Sequence, residues 1–134
     1  MIKKGIFHPQ LLRILGELRH MDLLVIGDAG LPVPEGVERV DLGWIENSPR
    51  FLEVFSAVQS VLAVEAATFA DEAKTNGEAT AAIHRETLAL LGDIPVSYVP
   101  HATLKEQMKG AKAIILTGEF TGYTNVILRM GCAY

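Results

Sequence analysis

Five side chains of proton-moving or hydroxyl-holding type sit where apolar runs give way to turns: His20, Asp28, His101, Tyr123 and Asn125. An imidazole, with an ordinary pKa near about 6.5, can donate or accept a proton at neutral pH. Tyr123 and Asn125 offer directional hydrogen bonds, and the tyrosine adds an apolar face of the kind that packs against a sugar ring. The set suits acid–base work on a small polyhydroxylated ligand.

Each of these residues also has a purely structural reading. Asp28, two residues before Gly30, fits a helix-cap or turn aspartate. His20 falls at the expected end of a helix, where an imidazolium is favoured by the macrodipole and can satisfy the last carbonyls. His101 fits an ordinary loop histidine, and Asn125 a turn residue beside a partly buried Tyr123. His8 reads as a helix-start residue and His84 as a solvated helix residue. Two histidines and one aspartate invite a metal site, but His20, Asp28 and His101 lack diagnostic ligand spacing, so metal ranks well below proton transfer.

Nucleotide chemistry is disfavoured. "GDAG" lacks the G-x-G-x-x-G order of a dinucleotide loop, and "GEFTG" lacks the Lys-Ser/Thr of a phosphate loop. With 12 Lys+Arg against 16 Asp+Glu, net −4, the chain has no basic excess for a phosphate backbone, which makes nucleic acid a poor partner. A single cysteine, Cys132, excludes an internal disulfide and any thiolate zinc site. Gln59 and Glu65 interrupt the longest apolar candidate before the about 18 residues of a membrane span, and "MIKKGIF" lacks the apolar core of a secretion signal. The expectation is a soluble, cytoplasmic protein without membrane contact.

The 134 residues, 49% hydrophobic, suffice for one domain with a proper core. Pro9 as a first helical residue, with Leu11, Leu15 and Leu18 on one stripe, predicts an amphipathic helix over 9–19. "DLLVIGD" is short and β-branched and reads as a buried strand that places Asp28 at its C-terminal end. "AGLPVPEG" is an irregular loop and "VERVDL" a second strand. "SPRFLEVFSAVQSVL" reads as a helix with Ser48 as N-cap and Pro49 as first residue, and the first half of "VLAVEAATFA" as a strand. Asn76 is the expected cap of "GEATAAIHRETLALL", which Gly92 ends. "IPVSYV" is the next strand, closed by Pro100, so His101 lies just beyond a strand end. Thr103 and Glu106 have capping-box spacing for a short helix in "TLKEQMKG". "AKAIILTG" and "VILRMG" are the last strands, joined by the polar loop "EFTGYTN".

Alternating strands and helices predict a single-domain, three-layer α/β/α fold with a mainly parallel sheet. In open α/β sheets ligands bind beyond the carboxyl ends of the strands, and Asp28, His101 and the Glu119–Asn125 loop belong there.

"KKGIFHPQLLRILGELRHMD", "DAGLPVP", "VEAATFADEAK" and "TGEFTGYTNVIL" together resemble the D-ribose pyranase family over nearly the whole chain. The most specific feature is a histidine eight residues before "DAGLP", joined to a C-terminal "GE…YxN" segment. The related L-fucose mutarotases share the architecture, and "DAGLPVP" favours the ribose branch. The resemblance implies that His20 is the proton donor and that Asp28, His101, Tyr123, Thr124 and Asn125 line the sugar site, Thr124 through its main chain. It implies interconversion of pyranose and furanose D-ribose by ring opening and reclosure, without cofactor or metal. It also implies a homo-oligomer, a decamer of two stacked pentameric rings with sugar sites near subunit contacts. Relatives carry Gly-His-Thr at Arg19-His20-Met21, Pro-Tyr-Ala at Gly122-Tyr123-Thr124, and arginine at Leu116; these departures bear on substrate preference, since no implied acid or base is replaced. The competing readings are a mutarotase of another sugar such as L-fucose, a non-catalytic sugar-binding module, and a metal-dependent isomerase or lyase.

Overall fold

Apolar residues alternate sides along the central strands, so every such strand must bury both faces. A computed structural model describes residues 1–134 and shows how this is done. The elements run α1 (Pro9–Glu17), β1 (Leu23–Gly27), β2 (Glu38–Asp41), α2 (Phe51–Gln59), β3 (Val64–Ala70), α3 (Glu72–Thr75), α4 (Glu78–Leu91), β4 (Val96–Val99), α5 (His101–Gln107), a 3₁₀ turn (Met108–Gly110), β5 (Ala113–Leu116) and β6 (Val126–Met130). The six strands form one sheet in the order β2-β5-β1-β6-β3-β4. Pairs β1/β5, β2/β5 and β3/β4 are parallel, while β6 runs antiparallel to both β1 and β3. The expected three-layer, mainly parallel architecture is present, with one reversed strand inside it.

Leu24 and Ile26 of β1 face a large core built with Leu11 and Ile14 of α1, Phe51, Val54, Phe55 and Val58 of α2, and Leu91 of α4. Val25, between them, faces a smaller core with Leu104 of α5, Met108 and Leu31. The second face is only partly covered: α5 and the 3₁₀ turn shield β1 and β5, but Ala66, Thr68, Ser97 and Arg129 of β3, β4 and β6 line an open groove. No helix is long and apolar enough to cross a membrane.

Several local expectations are corrected. α1 stops at Glu17 with Leu18 already extended, so His20 stands three residues beyond the helix and outside its dipole. α2 begins at Phe51 rather than Pro49, because Ser48 and Pro49 give their carbonyls to Trp44 and Gly118. The strand in "VLAVEAATFA" occupies its second half, Val64–Ala70, not the first. The cap of α4 is Gly77, while Asn76 donates to Thr80 Oγ1 at 3.2 Å. α5 begins at His101, two residues before the capping-box threonine. His84 is 5% exposed and hydrogen-bonded to Tyr98 Oη at 2.7 Å, not solvated. His8 does open α1, its Nδ1 accepting from Leu11 N–H at 3.2 Å.

Candidate functional site

Five strands end on the same side of the sheet, and β6 starts there. This brings Asp28 after β1, His101 after β4, and the loop 117–125 between β5 and β6 to one edge. Asp28, Thr124 and Asn125 are buried there, and His101 and Tyr123 partly so.

Asn125 is the clamp between the two chain segments. Its Oδ1 accepts the Asp28 main-chain N–H at 2.9 Å, reaching across from β6 to β1. The crossing is possible because residue 27 is glycine: a Cβ there would lie 2.7 Å from Asn125 Oδ1 and 2.4 Å from Leu31 Cδ2. Asp28 Oδ1 in turn accepts Gly30 N–H at 3.0 Å, closing a turn at the strand end. Burial pushes the Asp28 carboxyl above its ordinary value, and the Gly30 N–H, the Asn125 amide, the Tyr123 N–H and the His101 charge offset this only in part. A partly desolvated carboxylate with a raised pKa, flanked by a histidine and a tyrosine, makes this edge the candidate site.

His101 meets Tyr123 edge to face, ring centroids 5.0 Å apart. Its Nδ1 is buried without a hydrogen-bond partner. Its main-chain N–H donates to Glu72 Oε2 at 3.0 Å, so Glu72 caps α5 in place of the expected Thr103. Tyr123 adopts φ +61°, a left-handed conformation that costs a non-glycine residue about 1 kcal/mol. Thr124 spends its hydroxyl on Thr121 O at 2.8 Å, which leaves its main chain as the available part.

Glu119 organises this loop from beneath. Almost fully buried, it receives Arg50 Nε at 3.2 Å, Phe51 N–H at 3.3 Å and Thr121 N–H at 3.3 Å, tying the start of α2 to the site loop. Gly118 lets the loop pass, since a Cβ there would meet Ser48 O at 2.3 Å. The sequence offered a hint, an acidic residue after "TG" in an apolar setting, but its charge partner lies 69 positions away.

His20 is not among this group. It precedes β1 and Asp28 follows it, so roughly 17 Å of strand separates them. Within one chain His20 can neither be polarised by Asp28 nor share an ion with Asp28 and His101. Its Nε2 instead meets Glu65 Oε2 at 3.2 Å.

A family profile, the RbsD / FucU transport protein family, matches residues 1–133. The chain belongs to this family. It is 40% identical to a D-ribose pyranase of Laribacter hongkongensis and 42% identical to one of Bacillus cereus, each aligned over 100% of both chains. Bacillus subtilis RbsD complexed with D-ribose superposes with a TM-score of 0.94, at 37% identity and covering 100% of both chains. The fold extends to the fucose mutarotase of Streptococcus pneumoniae in complex with L-fucose, with a TM-score of 0.76 and 22% identity over 95% of this chain and 94% of that one.

Proposed function

We propose that this chain is a D-ribose pyranase. It catalyses exchange between the pyranose and furanose forms of D-ribose, with His20 as proton donor and Asp28, His101, Tyr123, Thr124 and Asn125 holding the sugar. The observation that carries this is the built cluster at the carboxyl edge of the sheet, in a chain that matches a ribose-bound relative over its full length. L-fucose is the alternative substrate, but likeness to the fucose enzyme is confined to the fold.

Changing ring size requires opening the hemiacetal and closing it through a different hydroxyl, so only protons move. A proton must reach the ring oxygen as the anomeric hydroxyl gives up its own, and imidazole and water can exchange these at neutral pH. Asp28 is engaged with its own edge of the sheet and fits a role holding a sugar hydroxyl. The unpartnered Nδ1 of His101 is matched to a second hydroxyl, because a buried polar atom gains most from a new hydrogen bond. The Tyr123 ring offers the apolar face of the sugar a surface.

The separation of His20 from this cluster is resolved if the working site is shared, His20 coming from a neighbouring copy. The uncovered sheet face around Ala66, Thr68 and Arg129, and the exposed Phe7, Trp44, Ile45 and Phe120, support contacts between copies. We take the assembly to be a decamer of two pentameric rings acting in the cytoplasm on ribose destined for catabolism.

The test is exchange NMR on D-ribose at equilibrium, repeated with L-fucose. Wild-type protein is expected to broaden the pyranose and furanose resonances through faster exchange, and His20→Ala to lose this by about 10²–10⁴-fold. Unchanged ribose exchange with the wild type rules out the pyranase assignment; acceleration of fucose alone moves it to the mutarotases.

A further inference from the structure

β3 and β6 pair in register except at one place. Val64 lies opposite Met130 and Ala66 opposite Arg129, so Glu65 is an extra residue bulged out of the ladder. Bulges re-aim side chains, and this one directs a carboxylate toward the start of β1. Its two oxygens have separate partners: Oε1 takes Arg129 Nε at 2.8 Å and Oε2 meets His20 Nε2 at 3.2 Å. Gly131 leaves room for this placement, since a Cβ there would come within 3.0 Å of Glu65 Cβ and 3.4 Å of Oε2.

The backbone around His20 is pinned as well. Arg19 N–H donates to Asp22 Oδ2 at 2.7 Å, and Met21 N–H donates to Met130 O at 2.9 Å. Met21 turns the chain at φ +74°. The histidine is therefore fixed both by its main chain and by one ring nitrogen.

We propose that Glu65 is a positioning residue for the exchange reaction: it holds the Nε2–H of His20, so that Nδ1 is the nitrogen that trades protons with the sugar. This rests on the reading of His20 as proton donor. A histidine with one N–H held by a carboxylate has a fixed tautomer and ring orientation. The charged ring then gives its Nδ1 proton to the ring oxygen and recovers one from solvent or from the sugar's hydroxyl, while Nε2–H stays on Glu65. Arg129 balances the carboxylate, leaving one oxygen for each partner.

The experiment combines ribose exchange kinetics with nitrogen-15 spectra of the histidine rings, on wild type, Glu65→Ala, Glu65→Gln and Glu65→Asp. Above the histidine titration range, the His20 ring of the wild type is expected as the Nε2–H tautomer. Glu65→Ala mixes the two tautomers and lowers kcat by about ten- to hundredfold, less than the 10²–10⁴-fold that acid catalysis as a whole is worth, with KM changed less than about twofold. Glu65→Gln, whose amide oxygen still accepts, keeps the tautomer and most of kcat. Glu65→Asp, one methylene short, behaves as the alanine variant and carries the same readout should alanine not fold. A wild-type His20 in the Nδ1–H form, or an alanine variant with wild-type tautomer and kcat, overturns the proposal. Should wild type fail to accelerate ribose exchange, the pyranase reading falls, and the tautomer spectra alone decide the Glu65–His20 pair.

Discussion

Gly27 and Asn125 occupy the same space by turns, and this makes their coupling measurable. In Gly27→Ala the new Cβ lies 2.7 Å from Asn125 Oδ1 and 2.4 Å from Leu31 Cδ2, both below contact distance. Leu31 is a flexible end and can shift within its small core, whereas Asn125 is held by the Asp28 N–H at 2.9 Å. Overpacking of this kind costs about 1–3 kcal/mol. Asn125→Ala leaves the Asp28 N–H unpaired in a buried position, also about 1–3 kcal/mol. In the double variant the alanine methyl has only Leu31 to displace, so the two losses do not add, and we expect about 1 kcal/mol less than their sum. The assay is urea unfolding of the four proteins at one protomer concentration, so that any association between copies contributes equally to each. Additivity to within about 0.3–0.5 kcal/mol would refute the account of how β6 is clamped to β1.

Asp28→Asn should abolish ribose exchange yet raise stability at neutral pH. Burial raises the folded-state Asp28 pKa above its ordinary 3.8, so its favourable contribution is complete below 3.8 and is lost as pH rises through the folded value; the advantage of the asparagine, read as urea midpoint against pH, must therefore vanish toward acid. His84 is the opposite case: burial, with the Lys74 charge, lowers its pKa below 6.5, so its contribution is present above 6.5 and lost as pH falls through the folded value. His84→Gln should flatten the acid side of the stability profile, and an unchanged profile would show that this histidine is not the group responsible. Glu119→Gln turns one of the two oxygens that separately accept Phe51 N–H and Thr121 N–H into a donor, so one of these N–H groups loses its acceptor, and about 1–3 kcal/mol should be lost by thermal or urea unfolding, together with sugar affinity.

The sheet was readable from the sequence because its strands are short, β-branched and bounded by turns, and the strand-end positions of Asp28 and His101 followed directly. What escaped were features fixed by distant partners. Local signals put the start of α2 at Ser48–Pro49 and the cap of α5 at Thr103, but the N–H groups of Phe51 and His101 are taken by Glu119 and Glu72, from 68 and 29 positions away. The reversed direction of β6 is likewise invisible in an apolar run that reads the same both ways. His84 looked solvated because its helix neighbours are polar; Phe69 and Tyr98, from two strands, enclose it. For the site, residue types were legible, but that His20 and Asp28 lie at opposite ends of β1 became meaningful only with the strand in place. Glu65 registered only as a charge interrupting an apolar stretch, since a bulge is a property of two paired strands.

The separation of His20 from Asp28 makes one measurement decisive for the proposal that the site is shared between copies. His20→Ala and Asp28→Asn, each inactive alone, are co-expressed so that mixed assemblies form, and ribose exchange is followed by NMR. If each site draws His20 from one copy and Asp28 from another, random mixing rebuilds about a quarter of the sites, and exchange returns to about that fraction of wild type. Mixed assemblies as inactive as either variant alone would contradict the account.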